Sequence, residues 1–136
     1  MKRKVFVIED HPLMRRSIVE TIERESDLSV CGQAQDAQEA FSAIMSSQPD
    51  IVLTDIQLNS SSGLDLIKNL RAQSPTLPII ATTMFDVRRT ERLARAAGAA
   101  GFAAKQDGPE KLIAALHEAL KADKNEDETP LTHDAG

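Results

Sequence analysis

Six polar residues stand where short apolar runs end. Glu9 and Asp10 follow residues 5–8, Asp55 follows 51–54, Thr82-Thr83 closes 78–82, and Lys105 follows 101–104. If the fold gathers those ends, three carboxylates share a crevice with a hydroxyl and an ammonium. Carboxylates a few ångströms apart repel strongly once desolvated. A hard divalent cation relieves the repulsion, and Mg²⁺ suits one or two carboxylates completed by waters and phosphate oxygens. The same set supplies the parts of phosphoryl transfer: a nucleophilic carboxylate, a metal on the developing charge, and donors for the remaining oxygens. Asp55 is the natural nucleophile, since it directly follows the most buried-looking run. Glu9 and Asp10 then hold the metal with help from the Gln57 backbone carbonyl, while Thr83 and Lys105 take the phosphoryl oxygens.

The elements that must position these groups follow from periodicity. Residues 4–8 form a β-branched run and 28–32 a weaker one, while 51–54 and 78–82 are short apolar runs bounded by turn signals. Residues 101–104 are a poor strand on propensity and earn the assignment from their place in the pattern alone. Between the strands, Met14/Ile18/Ile22, Ala37/Phe41/Ile44, Leu64/Ile67/Leu70 and Leu112/Leu116/Leu120 recur at helical spacing. Asp36-x-x-Glu39 and Ser62-x-x-Asp65 look like capping boxes, and Pro109 suits a first helical turn. Residues 86–97 read as a helix rich in Arg and Ala. Five βα units predict an α/β fold: a doubly wound, five-stranded parallel sheet in the order 2-1-3-4-5, of the flavodoxin-like kind. Ligands of such sheets sit at the carboxyl ends of the strands, where the strand order reverses. There the first and third strands deliver Glu9, Asp10 and Asp55.

Composition narrows the function classes. The 136 residues are 41% hydrophobic and 27% charged, which fits one folded domain. No apolar run is long enough for a membrane span or a signal peptide, so a cytoplasmic protein without membrane contact is expected. One cysteine, Cys31, excludes an internal disulfide, and it reads as a small buried hydrophobe in the second strand. The 21 acids against 16 bases, and the absence of Trp and Tyr, argue against a non-specific nucleic-acid binder. The domain is expected over residues 1–121. Residues 122–136 are acidic and poor in apolar side chains, and read as a linker or disordered tail.

Five segments, in this order and spacing, resemble the receiver domain of two-component response regulators. They are Val5-Phe6-Val7-Ile8-Glu9-Asp10-His11-Pro12, Pro49-Asp50-Ile51-Val52-Leu53-Thr54-Asp55-Ile56, Gly63-Leu64, Pro78-Ile79-Ile80-Ala81-Thr82-Thr83-Met84 and Ala97-Gly98-Ala99-Ala100-Gly101-Phe102-Ala103-Ala104-Lys105. The Asp-His-Pro opening and the Gly-Phe-x-x-Lys close are most similar to receivers of the LuxR/NarL type. The resemblance implies a regulatory phosphoacceptor rather than a conventional enzyme, phosphorylated on Asp55 by the phosphohistidine of a sensor histidine kinase, with Mg²⁺ required. It also implies that Thr83 and Phe102 form a switch pair reporting to the surface of the fourth helix, fifth strand and fifth helix, and that a homodimer is among the partners. Thr83 is preferred to Thr82 because it lies five residues after Pro78 and just before Met84. One position departs from the pattern: Asn59 stands where the family usually has proline, in the loop that carries Gln57. No helix-turn-helix fits within residues 121–136, so DNA contact is expected only through an output domain absent from this chain.

Plainer readings compete for several residues. Asp10 could cap the helix starting near Pro12, and His11 reads as a turn residue. His117 flanks an apolar stripe and His133 lies in the tail, so neither suggests a site. Arg88, Arg92 and Arg95 recur on one helical face, by default a solvated one. A nucleotide- or flavin-binding domain would want glycines after the first strand, where Glu9-Asp10-His11-Pro12 offers negative charge instead. A haloacid-dehalogenase-like phosphatase would want Asp-x-Asp, which is missing. A stand-alone receiver or a pseudo-receiver, acting as a protein-interaction module without DNA-binding output, is the remaining alternative.

Overall fold

The computed structural model describes the backbone of residues 2–58 and 61–135 and the side chains of residues 2–58 and 61–122. Five strands pair in parallel: β1 (Arg3–Ile8), β2 (Leu28–Ala34), β3 (Ile51–Asp55), β4 (Ile79–Thr83) and β5 (Gly101–Ala104). Their order is β2-β1-β3-β4-β5, so the chain reverses direction across the sheet between β1 and β3, as expected. The helices are α1 (Pro12–Glu23), α2 (Ala37–Ser47), α3 (Gly63–Gln73), α4 (Val87–Ala97) and α5 (Pro109–Ala135), with a 3₁₀ turn at Lys105–Asp107. The expected acidic tail begins inside α5, and the side chains of 123–136 lie outside the described residues, as does Asn59.

Alternation along each strand sorts the apolar side chains onto two faces. Phe6, Ile8, Val52, Ile79 and Ala81 pack with Ile44, Leu66, Ile67, Leu70 and Ala94, the buried stripes of α2, α3 and α4. Val5, Val7, Ile51, Leu53 and Ile80 pack with Ile18, Ile22, Leu112 and Leu116 from α1 and α5. Each fully buried Leu or Ile contributes roughly 1.5–3 kcal/mol of transfer free energy. Burial on both faces is what a continuous apolar run such as Ile51-Val52-Leu53 requires.

The weak second strand is longer than its apolar run. Its pairing with β1 shifts register between Val5 and Phe6, which places Phe6 opposite Gly32. A Cβ at Gly32 would stand 2.6 Å from the Phe6 ring, so the glycine lets the ring lie across the strand. The ladder then continues to Ala34, whose carbonyl accepts from Glu9 N–H at 3.0 Å. Cys31 is only half-buried, not fully buried as its type suggested, because it sits beside this irregularity; its thiol donates to the Val5 carbonyl at 3.6 Å. Asp36 and Ser62 cap α2 and α3 as their spacing indicated, accepting from Glu39 N–H at 2.8 Å and Asp65 N–H at 3.2 Å. For α1 the cap is His11, whose Nδ1 accepts from Met14 N–H at 3.3 Å. Asp10 is thereby relieved of the capping role.

Candidate functional site

The strand order brings Glu9, Asp10 and Asp55 to one place. A carboxylate oxygen from each lies within 4.8 Å of the other two. Glu9 and Asp55 are buried, at 2% and 5% exposure, and Asp10 is half-buried at the mouth. Lys105 enters from the end of β5 and bridges the cluster, donating from Nζ to Glu9 Oε1 and, at 2.6 Å, to Asp55 Oδ2. The other oxygens are also engaged: Glu9 Oε2 accepts from His11 N–H at 3.1 Å and Asp55 Oδ1 from Gln57 N–H at 2.8 Å. Both carboxylates are therefore held in fixed orientations before any ligand arrives.

Burial pushes the Glu9 carboxyl above its ordinary value, and the hydrogen bond and charge of Lys105 recover only part of that shift. Burial would by itself lower Lys105, but bonds and charges from Asp55 and Glu9 outweigh it and hold the ammonium above its ordinary value. Three carboxylates against one ammonium leave the cleft with an excess of negative charge. That excess and the all-oxygen donor set fit a hard divalent cation such as Mg²⁺.

Thr83 is fully buried at the end of β4. Its single hydroxyl hydrogen can serve either the Phe85 carbonyl at 3.0 Å or Gln57 Oε1 at 3.3 Å, while its oxygen accepts from Phe85 N–H at 3.2 Å. Thr82 pairs with Asp55 in register, and its hydroxyl lies 3.5 Å from the Thr54 carbonyl, whereas the Thr83 hydroxyl reaches the Gln57 side chain in the loop after Asp55. Phe102 is opposite Ala81 and Thr83 is opposite Ala104, so alternation puts Phe102 and Thr83 on the same sheet face two positions apart. Phe102 is half-buried, and its ring lines a surface cavity of about 430 Å³ together with Arg71 and Arg95.

Gly63 is fixed by this loop. A Cβ there would fall 2.1 Å from the Asp55 carbonyl oxygen and 2.7 Å from Ile56 Cα, both backbone atoms. The chain after the nucleophile candidate thus turns tightly against the first residue of α3, and Gly63 N–H donates to the Ile56 carbonyl at 3.1 Å.

Arg15 was not singled out by sequence reasoning. Its Nη1 donates to the Glu9 carbonyl at 2.8 Å and its Nε to Gln33 Oε1 at 3.2 Å, tying the acidic loop to the end of β2. A cation near a helix N-terminus opposes the helix dipole, and that mismatch was the available signal. The arginine stripe on α4 behaves as the plain reading had it: Arg88 and Arg92 are exposed, and Arg95 pairs with Glu91 at 3.0 Å.

This architecture defines a doubly wound α/β domain that presents a clamped carboxylate at its topological switch point. The chain belongs to the response regulator receiver domain family, which matches over residues 5–117. It is 33% identical over 112 residues to the nitrate/nitrite response regulator protein homolog of Haemophilus influenzae, covering 82% of this chain and 54% of that protein. With the nitrate/nitrite response regulator protein NarP of Escherichia coli the identity is 31% over 121 residues, covering 89% and 56%. A crystal structure of a LuxR-family two-component response regulator from Aurantimonas sp. SI85-9A1 superposes with a TM-score of 0.86 at 28% identity, covering 90% of this chain and 87% of that one. The chain is thus a receiver domain of the NarL/LuxR two-component type, and it spans about half the length of the curated relatives it matches. Among the described residues no helix is long and apolar enough to cross a membrane.

Proposed function

We propose that this receiver takes a phosphoryl group on Asp55 from the phosphohistidine of a sensor histidine kinase, and that Mg²⁺ is required. The observation that carries the reading is the clamp on Asp55: Lys105 on one oxygen, Gln57 N–H on the other, and two further carboxylates within ligand distance. An Asp55 oxygen forms a bond to phosphorus as the phosphorus–nitrogen bond of the phosphohistidine breaks, leaving the kinase imidazole. Glu9, Asp10, Asp55 and the Gln57 carbonyl would hold the metal, which when bound neutralises charge on the transferring oxygens. Lys105, already at Asp55, is placed to ion-pair with the phosphoryl group, and the Thr83 hydroxyl can turn from the Phe85 carbonyl to hydrogen-bond it. That turn frees the loop after β4, and Phe102, on the same face, transmits the change to α4, β5 and α5. Residues 1–121 form the phosphoacceptor unit, and residues 122–136 act as an acidic linker. The output is a partner protein, a second copy, or a transcriptional domain joined to the receiver, and a cytoplasmic location follows from exchange with a kinase.

Acetyl phosphate tests the reading without a kinase. With Mg²⁺, intact-mass measurement should show one added phosphoryl group, and Asp55→Asn should add none. Labelling that survives chelation, or that persists in Asp55→Asn, would overturn it. Mg²⁺ at about ten times its Kd should also stabilise the wild type by roughly 1.4 kcal/mol, and stabilise Asp10→Asn much less.

A further inference from the structure

Outside the strand-end cleft, one other group of metal-ligating side chains comes together among the described residues. Glu25 and Asp27 lie in the turn between α1 and β2, His117 lies on α5, and one ligand atom from each is within 4.8 Å of the others. The His117 Nε2 atom faces both Asp27 oxygens, at 3.0 Å to Oδ2 and 3.2 Å to Oδ1. Ninety residues separate the imidazole from Asp27, so no local motif announces the group, and His117 read from sequence as a bystander to an apolar stripe.

The core fixes the two backbones that carry it. Ile22 and Leu28, which bracket the turn, and Leu116, beside the histidine, are fully buried in one cluster. The Asp27 carbonyl accepts from Arg3 N–H at 2.9 Å, and Glu25 N–H donates to the Ile22 carbonyl at 3.0 Å. Among the described residues, neither Glu25 nor Asp27 forms an ion pair with a lysine or arginine. Two carboxylates and one imidazole therefore face one another on backbones that the core holds in place.

We infer that Glu25, Asp27 and His117 form a second cation site, for a borderline divalent metal of the zinc type, distinct from the Mg²⁺ cleft. One imidazole nitrogen and two carboxylate oxygens are a common donor set for Zn²⁺, whereas Mg²⁺ takes oxygen donors. Tetrahedral bonds of about 2.0–2.2 Å require ligand atoms roughly 3.3–3.6 Å apart. The Nε2–Oδ pair, now at hydrogen-bond distances of 3.0 and 3.2 Å, opens by a few tenths of an ångström to admit the ion, and half-exposed Glu25 closes the remainder by a side-chain rotation. The bound ion clamps α5 to the α1–β2 turn, so zinc should stabilise the domain independently of phosphorylation.

Calorimetric titration of zinc chloride into the full chain, in buffer with excess Mg²⁺, tests this. One zinc per chain is expected for the wild type, and for Asp10→Asn, His11→Ala and His133→Ala alike. Loss of a metal-supporting partner typically costs about 10–100-fold in affinity, so His117→Ala and Asp27→Asn should each weaken binding at least tenfold. Both positions are solvent-accessible, and unchanged metal-free melts of these variants would establish that they fold. Zinc should raise the melting temperature of the wild type and not of His117→Ala. Wild type that binds no zinc, His117→Ala that binds like wild type, or Asp10→Asn that loses the site would each overturn the inference.

Discussion

Lys105 is the residue on which the site's electrostatics turn. It ion-pairs with two buried carboxylates at once, with its side chain almost wholly enclosed. Removing one partner of a buried pair leaves uncompensated charge, so Lys105→Met should cost about 2–3 kcal/mol at neutral pH, a fall of roughly 8–12 °C in Tm. The pH dependence follows from the directions of the shifts. Lys105 is raised above 10.5, so its stabilising contribution is complete below that value and is lost only as pH rises through its folded pKa. Glu9 is raised above 4.5, so its charged form is a penalty at neutral pH that fades as pH falls through its folded pKa. A protonated Glu9 needs no counter-ion. Melts followed by circular dichroism should therefore show the Lys105→Met deficit shrinking between pH 7.5 and pH 5. A deficit of equal size at both would contradict this picture of the cleft.

At the scale of elements, two devices hold the ends of the strands in place. Gly63→Ala drives a methyl into the Asp55 and Ile56 backbone, which cannot give as a flexible side chain would. The expected cost is roughly 2 kcal/mol or more by thermal melt, together with loss of acetyl phosphate labelling because the loop carrying Gln57 is displaced. Arg71 in α3 donates from Nε and Nη2 to the Gly98 carbonyl at 3.1 and 2.6 Å and from Nη1 to the Pro75 carbonyl at 2.7 Å. It thereby ties the end of α3 to the end of α4. Arg71→Met keeps much of the packing and loses these bonds, so a loss of about 2 kcal/mol is expected by calorimetry, without effect on labelling. Much of this level was legible in the sequence. The β-branched runs, the Asp36 and Ser62 caps and Pro109 are local signals, and the switch-point rule turned them into a prediction of which strand ends meet. Arg71 and Arg15 were not legible, because a long side chain bonded to distant carbonyls leaves no trace in periodicity. Nor was the extension of β2 to Ala34, which depends on a register shift against Phe6.

Across the whole molecule, the strand-end cleft and the exposed surface of α4 are joined by one sheet face. Met84, Phe85 and Leu93 are exposed apolar side chains on α4 and the loop before it, with Phe85 67% exposed and bonded through its backbone to the Thr83 hydroxyl. A change at Thr83 must therefore be felt there. Light scattering of apo and beryllofluoride-treated chain should show an increase in mass, and amide exchange should change within residues 84–121. Unchanged mass together with unchanged exchange would count against the Thr83–Phe102 route. Phosphorylation as proposed creates a single new bond, between an Asp55 oxygen and phosphorus. Borohydride converts an aspartyl phosphate to homoserine, so the chain can be treated with acetyl phosphate and Mg²⁺, reduced, digested and mapped by mass spectrometry. Homoserine at position 55 is the expected result. Homoserine at position 10 or elsewhere in place of 55, or none at all, would contradict phosphorylation of Asp55.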